Sequence, residues 1–392
     1  MSSKPVRSLA ALAAASTALH AAAEPAPVEE VVGYRYTSYQ EGDIPQERTY
    51  TPVTQRYDID VHQVRYGRPL GGGWYINGEA QYETLSGASP MQTYRNSEDQ
   101  SVVLMSGASI DESRFDIKVS PTRYFSERVD ATLGGTLAMS TENDYDSVSA
   151  GVDGSLDLFN RSTTLFGSLS MSYDQLSPTD AFLSDAREAA DGRVKRSISL
   201  YQGVSQVLNR KSVLLVGAGF TRMSGYLSDP YKFEDRRPGE RTQFNVSGQY
   251  RRFMDVGDGA ALHADARLYS DSWGVYSQTL TLRWAQEILQ GDLRWQVTPM
   301  VRYYRQTQAS FYSLQLEPPA DEYNSSDYRL ATYGALTLGA TAQLHLQKWT
   351  LSADWQQYMS REDLVLLPSP DSETPALVDF MVLSFGVEYR IN

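Results

Sequence analysis

The sequence predicts an all-β fold: one transmembrane antiparallel β-barrel of about 16 strands (range about 14–18), with short periplasmic turns and long external loops. Three observations carry this reading. Apolar and polar residues alternate over stretches longer than an average globular strand. Loop length follows strand parity. The chain of 392 residues has no cysteine and 26 tyrosines, a residue suited to a surface that is apolar at one end and wet at the other.

The first element is outside the barrel. The opening "MSSKPVRSLAALAAASTALHAAAEPAP" has Lys4 and Arg7 before a short apolar run, then Ala21 and Ala23 at small-residue positions. This pattern predicts a signal peptide over 1–23, followed by a short periplasmic leader over 24–30 and the barrel over 31–392. His20 belongs to the signal, which leaves His62, His263 and His345.

The alternation is clearest in "ATYGALTLGATAQLHLQK" (331–348). Leu336, Leu338, Ala340, Ala342 and Leu344 share one face, and Thr337, Thr341, Gln343 and His345 the other. Trp74, Ile76, Gly78, Ala80 and Tyr82 oppose Tyr75, Asn77, Glu79, Gln81 and Glu83 in the same way. A helix would need apolar residues at three- and four-residue spacing. About 16 such segments follow the alternation rule, beginning near 32, 56, 73, 113, 127, 146, 163, 195, 211, 242, 261, 276, 292, 328, 349 and 378.

Connections after even-numbered segments are tight: "RPLGGG", "YFSE", "FNRS", "LNRK", "DVGDG", "LQG" and "LQK". The long ones follow odd-numbered segments, at 41–55, 86–112, 174–194, 225–241, 307–327 and 360–377. All long loops therefore gather at one end, as an outer-membrane barrel requires and a secreted sandwich does not. Pro121 and Pro299 fall inside predicted strands, where each removes a ladder donor, so bulges are expected there.

Composition excludes several functions. There are 35 Lys and Arg against 48 Asp and Glu; without Lys4 and Arg7 the net charge is 33 minus 48, or −15. An acidic chain is a poor nucleic-acid binder, because phosphate contacts need clustered cations. Without cysteine there is no thiol nucleophile or thiolate metal site. No nucleophile elbow, zinc-binding helix or phosphate-cradling loop is present, so no catalytic, metal or cofactor site is expected and the chain is not read as an enzyme. A barrel hydrolase is the weaker alternative. His62 with Asp58 and Asp60, His263 with Asp265, and His345 read more simply as polar residues of the lumen lattice. The same alternation turns Arg294, Gln296, Thr298, Arg302 and Tyr304 inward, with Glu79, Glu83, Asp265, Asp354 and Glu388, giving an interior charged in both senses.

The stretch "GYLSDPYKFEDRRPGER" (225–241) is too long and too aromatic for a plain turn. Its mixed charges and two prolines predict a loop folded over the barrel mouth and registered by ion pairs with Asp327, Arg305 or Asp271 of neighbouring loops. The candidate lid or constriction comprises Tyr226, Asp229, Tyr231, Lys232, Arg236, Arg237, Asp271, Trp273, Arg302, Tyr304, Arg305, Asp327 and Arg329.

Five motifs in order, "SGASP", "GYLSDPYK" with "RRP", "YSDSWG", "RYYRQTQASFY" and "SSDYRL", make the chain resemble an uncharacterised family of Gram-negative envelope proteins, the domain of unknown function numbered 3570. The resemblance implies an outer-membrane barrel without an assigned activity. Genes for thioredoxin-like and flavin-transferase proteins often neighbour members of that family, which implies a periplasmic redox partner. The functional expectation is a channel or conduit for a small polar or cationic solute, gated by external loops and set in outer-membrane lipid. The alternative is a non-conducting scaffold that docks the redox partner.

Overall fold

The computed structural model describes residues 26–106, 110–126, 130–365 and 376–391. The segment read as a signal peptide lies outside the described residues, as do 366–375 of the last external loop.

Sixteen strands form one closed antiparallel sheet. In chain order they are β1 (Val31–Glu41), β2 (Asp58–Gly71), β3 (Trp74–Gly87), β6 (Ile110–Phe125), β7 (Ala131–Glu142), β8 (Tyr145–Leu158), β9 (Thr163–Leu176) and β10 (Val194–Asn209). Then come β11 (Ser212–Gly225), β12 (Glu240–Met254), β13 (Ala260–Asp271), β14 (Tyr276–Gln290), β15 (Leu293–Gln306), β16 (Tyr333–Leu346), β17 (Trp349–Arg361) and β18 (Phe380–Arg390). Each pairs with its chain neighbours in the ring, and β1 closes the wall on β18 from Val31↔Arg390 to Glu41↔Phe380. Two further strands, β4 (Pro90–Arg95) and β5 (Ser101–Met105), form a separate hairpin inside the 88–109 loop. None of the described helices is long and apolar enough to cross a membrane; the wall itself is the spanning element.

Side-chain alternation sorts the wall. On β7 and β8, Leu137, Met139, Val148 and Val152 are more than half exposed on the outside. Their inward neighbours are polar: Ser120 meets Thr136 at 3.1 Å and Thr132 meets Ser155 at 2.7 Å. Aromatic residues mark the outer wall near both ends, with Trp74 and Trp349 starting strands at the turn end and Tyr276 at the loop end. The tight turn at 71–73 explains its glycines. Gly71, Gly72 and Gly73 all have positive φ (81°, 56° and 80°), which side chains rarely tolerate.

Three expectations need correction. Neither proline makes a bulge. Pro299 stays opposite Ala340 and Pro121 opposite Ile76 in unbroken register; only the pairing on their other side is interrupted, with no residue inserted. A missing donor costs one side of a ladder, and the second neighbour holds the strand in line. Within the wall the register shifts lie instead at 69/71 and 207/209. The segment expected near 328 begins as a strand only at Tyr333, because Tyr328–Leu330 coils into a 3-10 turn started by Asp327. Finally, His62 is not in the lumen. It pairs with Tyr36 and Tyr82 on the outward face, and its Nδ1 meets the Tyr34 hydroxyl at 2.7 Å. Polarity is inverted there because Tyr39, Ile59 and Leu85 pack together inside, which turns Asp58, Asp60 and His62 outward.

Because Leu137 faces lipid and Thr136 faces the lumen, Leu137→Arg should destabilise the folded barrel by about 2–4 kcal/mol. Thr136→Arg, one residue away, should cost far less. Urea unfolding in lipid vesicles measures both, and equal costs would contradict the assigned faces.

Candidate functional site

Three external loops rise from well-separated points of the ring and meet. The 88–109 loop leaves β3, the 226–239 loop leaves β11, and the 307–332 loop leaves β15. The Phe233 backbone N–H donates to Met91 O (3.0 Å), Arg95 N–H to Leu314 O (3.0 Å), and Arg236 and Asn324 exchange backbone bonds at 2.8 Å. Segments anchored a quarter to three-eighths of the circumference apart meet by reaching over the lumen, so together they form a cap. The β4–β5 hairpin is its centre: Val103 and Met105 are 1% and 2% exposed, and Ser106 is fully buried. The first external loop joins through Tyr50 N–H to Val103 O at 3.0 Å.

The 226–239 loop is ordered by two kinds of force. Leu227 packs into an apolar cluster with Trp273, Val275, Tyr312, Leu314 and Leu330, against which Met223, Tyr269 and Phe311 lie. Beyond it is a set of six charges: Asp229, Asp235, Asp327, Lys232 and Arg237 are buried, and Arg329, its side chain 40% exposed, closes the set from the outside. Arg237 donates Nε–H to Asp235 (3.0 Å) and Nη2–H to Asp327 (2.9 Å). Arg329 donates Nη2–H to Asp327 (2.5 Å) and reaches Asp229 at 3.6 Å. The Lys232 ammonium donates to Pro90 O at 2.9 Å, tying the loop to the hairpin. Ser325 donates its hydroxyl to Asp235 at 2.5 Å. Three negative and three positive groups cancel, which is the condition for burying charge at all.

Glycine sets both loop entries. Gly87 and Gly225 have φ of +112°, and an added Cβ would lie 2.1 Å from Arg56 O and 2.0 Å from Val194 O respectively. Only glycine fits such a backbone crossing.

Titration follows from burial. Burial alone would raise the Asp327 carboxyl, but Arg329, Lys232 and Arg237 override it and hold the group well below the usual carboxylate range. Burial pushes the Lys232 ammonium down, against the pull of Asp327 and Asp229.

Asp229, Tyr231, Lys232, Arg236, Arg237, Asp327 and Arg329 of the predicted set therefore converge in the cap. Arg236 grips the 307–332 loop through Glu322 O (3.0 Å) and Pro319 O (2.7 Å), and Tyr231 lies under the Arg187 guanidinium at 5.0 Å. Tyr226, Asp271 and Trp273 form the rim beside it, where Arg241 pairs with Asp271 (2.5 Å) and stacks on Trp273 at 4.3 Å. Tyr304 is inside the wall below, against Tyr333 at 5.8 Å, and Arg302 lies deeper, donating to Thr281 Oγ1 at 3.3 Å. Arg305 is a correction: it alternates with Tyr304 onto the outer wall and bonds Gln278 at 2.9 Å, so it cannot pair with the loop. Sequence reasoning missed the β4–β5 hairpin and Arg56, which is 2% exposed and pairs with Glu41 at 2.9 Å; Asp235 belongs to the loop's mixed charges but not to the candidate set. The signals were weak: apolar "SVVLM" within a polar loop, and an arginine placed just before a strand.

Among the described residues no group of three or more His, Asp and Glu is arranged to hold a metal ion. A closed barrel with tight turns at one end and a loop cap at the other defines the class: the fold is that of outer-membrane barrel proteins. Within that class, the chain belongs to the family described as Protein of unknown function (DUF3570), whose model matches residues 6–370. No curated protein matches the chain in sequence. Among solved structures it is similar to a bacterial polysaccharide outer membrane secretin, at 11% identity and a TM-score of 0.51, covering 94% of this chain and all of that one. It also matches a BenF-like porin from Pseudomonas fluorescens Pf-5 (10% identity, TM-score 0.42, 93% and 98% covered). CdiB from Escherichia coli matches as well, at 12% identity and a TM-score of 0.48, covering 91% of this chain and 62% of that one.

Removing one member of the neutral set strands its partners. Asp327→Asn should cost the cap about 3–5 kcal/mol and open Lys232 and Arg236 to trypsin on intact cells, whereas the unmodified loop resists. Resistance retained in the variant would contradict the ion-pair account.

Acid should act through the same carboxylate. A depressed folded pKa gives stability that is complete above the unfolded value of about 3.9 and is lost as pH falls toward the folded one. Trp273 emission should therefore hold steady from neutral pH down to about pH 4 and change only below it. A transition near neutrality would contradict this assignment.

Proposed function

We propose that this chain is an outer-membrane conduit for a small polar or cationic solute, gated by its external loop cap. One observation carries the reading: the cap covers a lumen in which the charged side chains of the first two strands are wet. Arg35 and Arg65 face inward from β1 and β2, yet their side chains are 46% and 50% exposed, each with a carboxylate close by (Asp354 at 3.4 Å, Glu388 at 3.9 Å). A sixteen-stranded wall leaves room for such an aqueous channel. Charges lining it can rehydrate or bind a solute without holding it permanently. The cap supplies the gate, because it is fastened by side-chain contacts between loops and can open without unpairing any wall strand.

Location is part of the proposal. The protein should fractionate with the outer membrane and migrate on gels in a heat-modifiable manner; recovery as a soluble periplasmic protein would end the reading. Conductance is the functional test. Purified protein in planar bilayers should conduct little with the cap intact and several-fold more after residues 228–237 are trimmed. A trimmed barrel that still passes no current would support the non-conducting scaffold for a periplasmic redox partner instead.

A further inference from the structure

The lumen is charged in both senses, but the two signs are not mixed evenly. Counting round the ring from β1 through β2, β3, β6 and β7 are the third to fifth strands, and β13, β14 and β15 the eleventh to thirteenth. Eight places in a ring of sixteen is half a turn, so these sectors face each other across the lumen.

One sector is basic. Between its rims, β12–β15 turn Arg251, Arg267, Arg283 and Arg302 inward around Asp265. Asp265 accepts from Arg251 and, at 2.6 Å, from Arg283. Arg267 and Arg302 have no carboxylate within ion-pair distance among the described residues. Arg267 lies over the Tyr269 ring at 5.9 Å, and Arg302 reaches the Thr281 hydroxyl.

The opposite sector is acidic. Lys118 cancels Glu79 at 2.7 Å, and Arg114 lies 3.7 Å from Asp116 while donating Nε–H to Ser140 at 2.6 Å. That leaves Glu83, buried at 3% exposure, and Glu142; Arg114 stands opposite both in register but within ion-pair distance of neither, and Glu83 accepts an amide N–H from Gln81 at 3.4 Å. Depth matches as well. Arg267, Arg302 and Glu83 each lie four residues inside the external end of their strand, at Asp271, Gln306 and Gly87.

We propose that the lumen carries a transverse field between an arginine wall and a carboxylate wall, and that the solutes it favours are small zwitterions, with ammonium and carboxylate on one short frame. This rests on the conduit reading and narrows it. A zwitterion can turn its carboxylate to the guanidinia, which match it with two parallel N–H donors, while its ammonium faces the acidic sector, where Glu142 is the more accessible carboxylate and Glu83 lies buried behind the surface. A solute of one sign meets attraction from one wall and repulsion from the other at the same depth. Opposed walls of charge therefore favour a dipole over either ion, which net charge alone does not reveal.

The test uses the full-length chain in liposomes, with the cap intact or opened by Asp327→Asn. Uptake is measured for three labelled solutes of nearly equal size: β-alanine as zwitterion, 3-aminopropanol as cation and 3-hydroxypropionate as anion. The opened barrel should take up β-alanine several-fold faster than either ion. Arg267→Gln with Arg302→Gln should abolish that preference, and Arg267→Glu with Arg302→Glu should transfer it to the amine, in each case with heat-modifiable migration retained. Equal uptake of all three by the opened barrel would overturn the field proposal and leave the conduit standing. No uptake of any of them would overturn both.

Discussion

Everything in this molecule depends on one constraint: a backbone in hydrocarbon has no water to bond. A flat sheet would leave two edges of bare N–H and C=O groups in lipid, each costing several kcal/mol. The β1–β18 pairing removes both edges at once. With the ladder closed, every wall residue points either to lipid or to the lumen, and the sequence must alternate to satisfy both. The wall tolerates local faults for the same reason. Pro121 and Pro299 each interrupt one ladder while the neighbouring ladder carries the register.

The cap solves a different problem, since its residues have water available and must be persuaded to leave it. Apolar packing around Trp273 and Tyr312 provides the attraction. The six charges contribute less to net stability, because desolvation of the five buried ones offsets most of their mutual attraction. Their effect is on geometry. Arg237 bonds both Asp235 of its own loop and Asp327 of another, so only one relative placement of the two loops leaves no charge stranded. Such a set is rigid when complete and poorly tolerant of any single loss.

The wall was legible in the sequence and much of the cap was not, for a physical reason. Alternation is a local code: Val148 and Val152 declare their faces by spacing alone, whatever lies across the barrel. Loop parity is nearly as local. Convergence of Asp229, Arg237 and Asp327 could be anticipated from balanced charge in an aromatic-rich loop, because stranding such charges is costly. Arg305 misled, since a charge near a strand end reads the same whether it faces in or out until the register is known. His62 misled for the converse reason: its face was set by Tyr39, Ile59 and Leu85, three residues on three strands whose contact no single segment displays. The β4–β5 hairpin was hidden because a buried strand of five residues lacks the length that makes alternation visible.

Arg56 lies where the two ends of the wall come together. It pairs with Glu41 at the tip of β1, reaches Leu377 O at 3.5 Å beside β18, and covers the Tyr328 ring at 5.4 Å, while Gly42 N–H bonds Asp379 O at 2.8 Å. The Leu377 and Asp379 contacts straddle the seam between the first strand and the last, and neither can form until the two have met. Arg56 thus makes one side chain answer to both halves of the closure: the same guanidinium that grips the first strand also registers the arrival of the last.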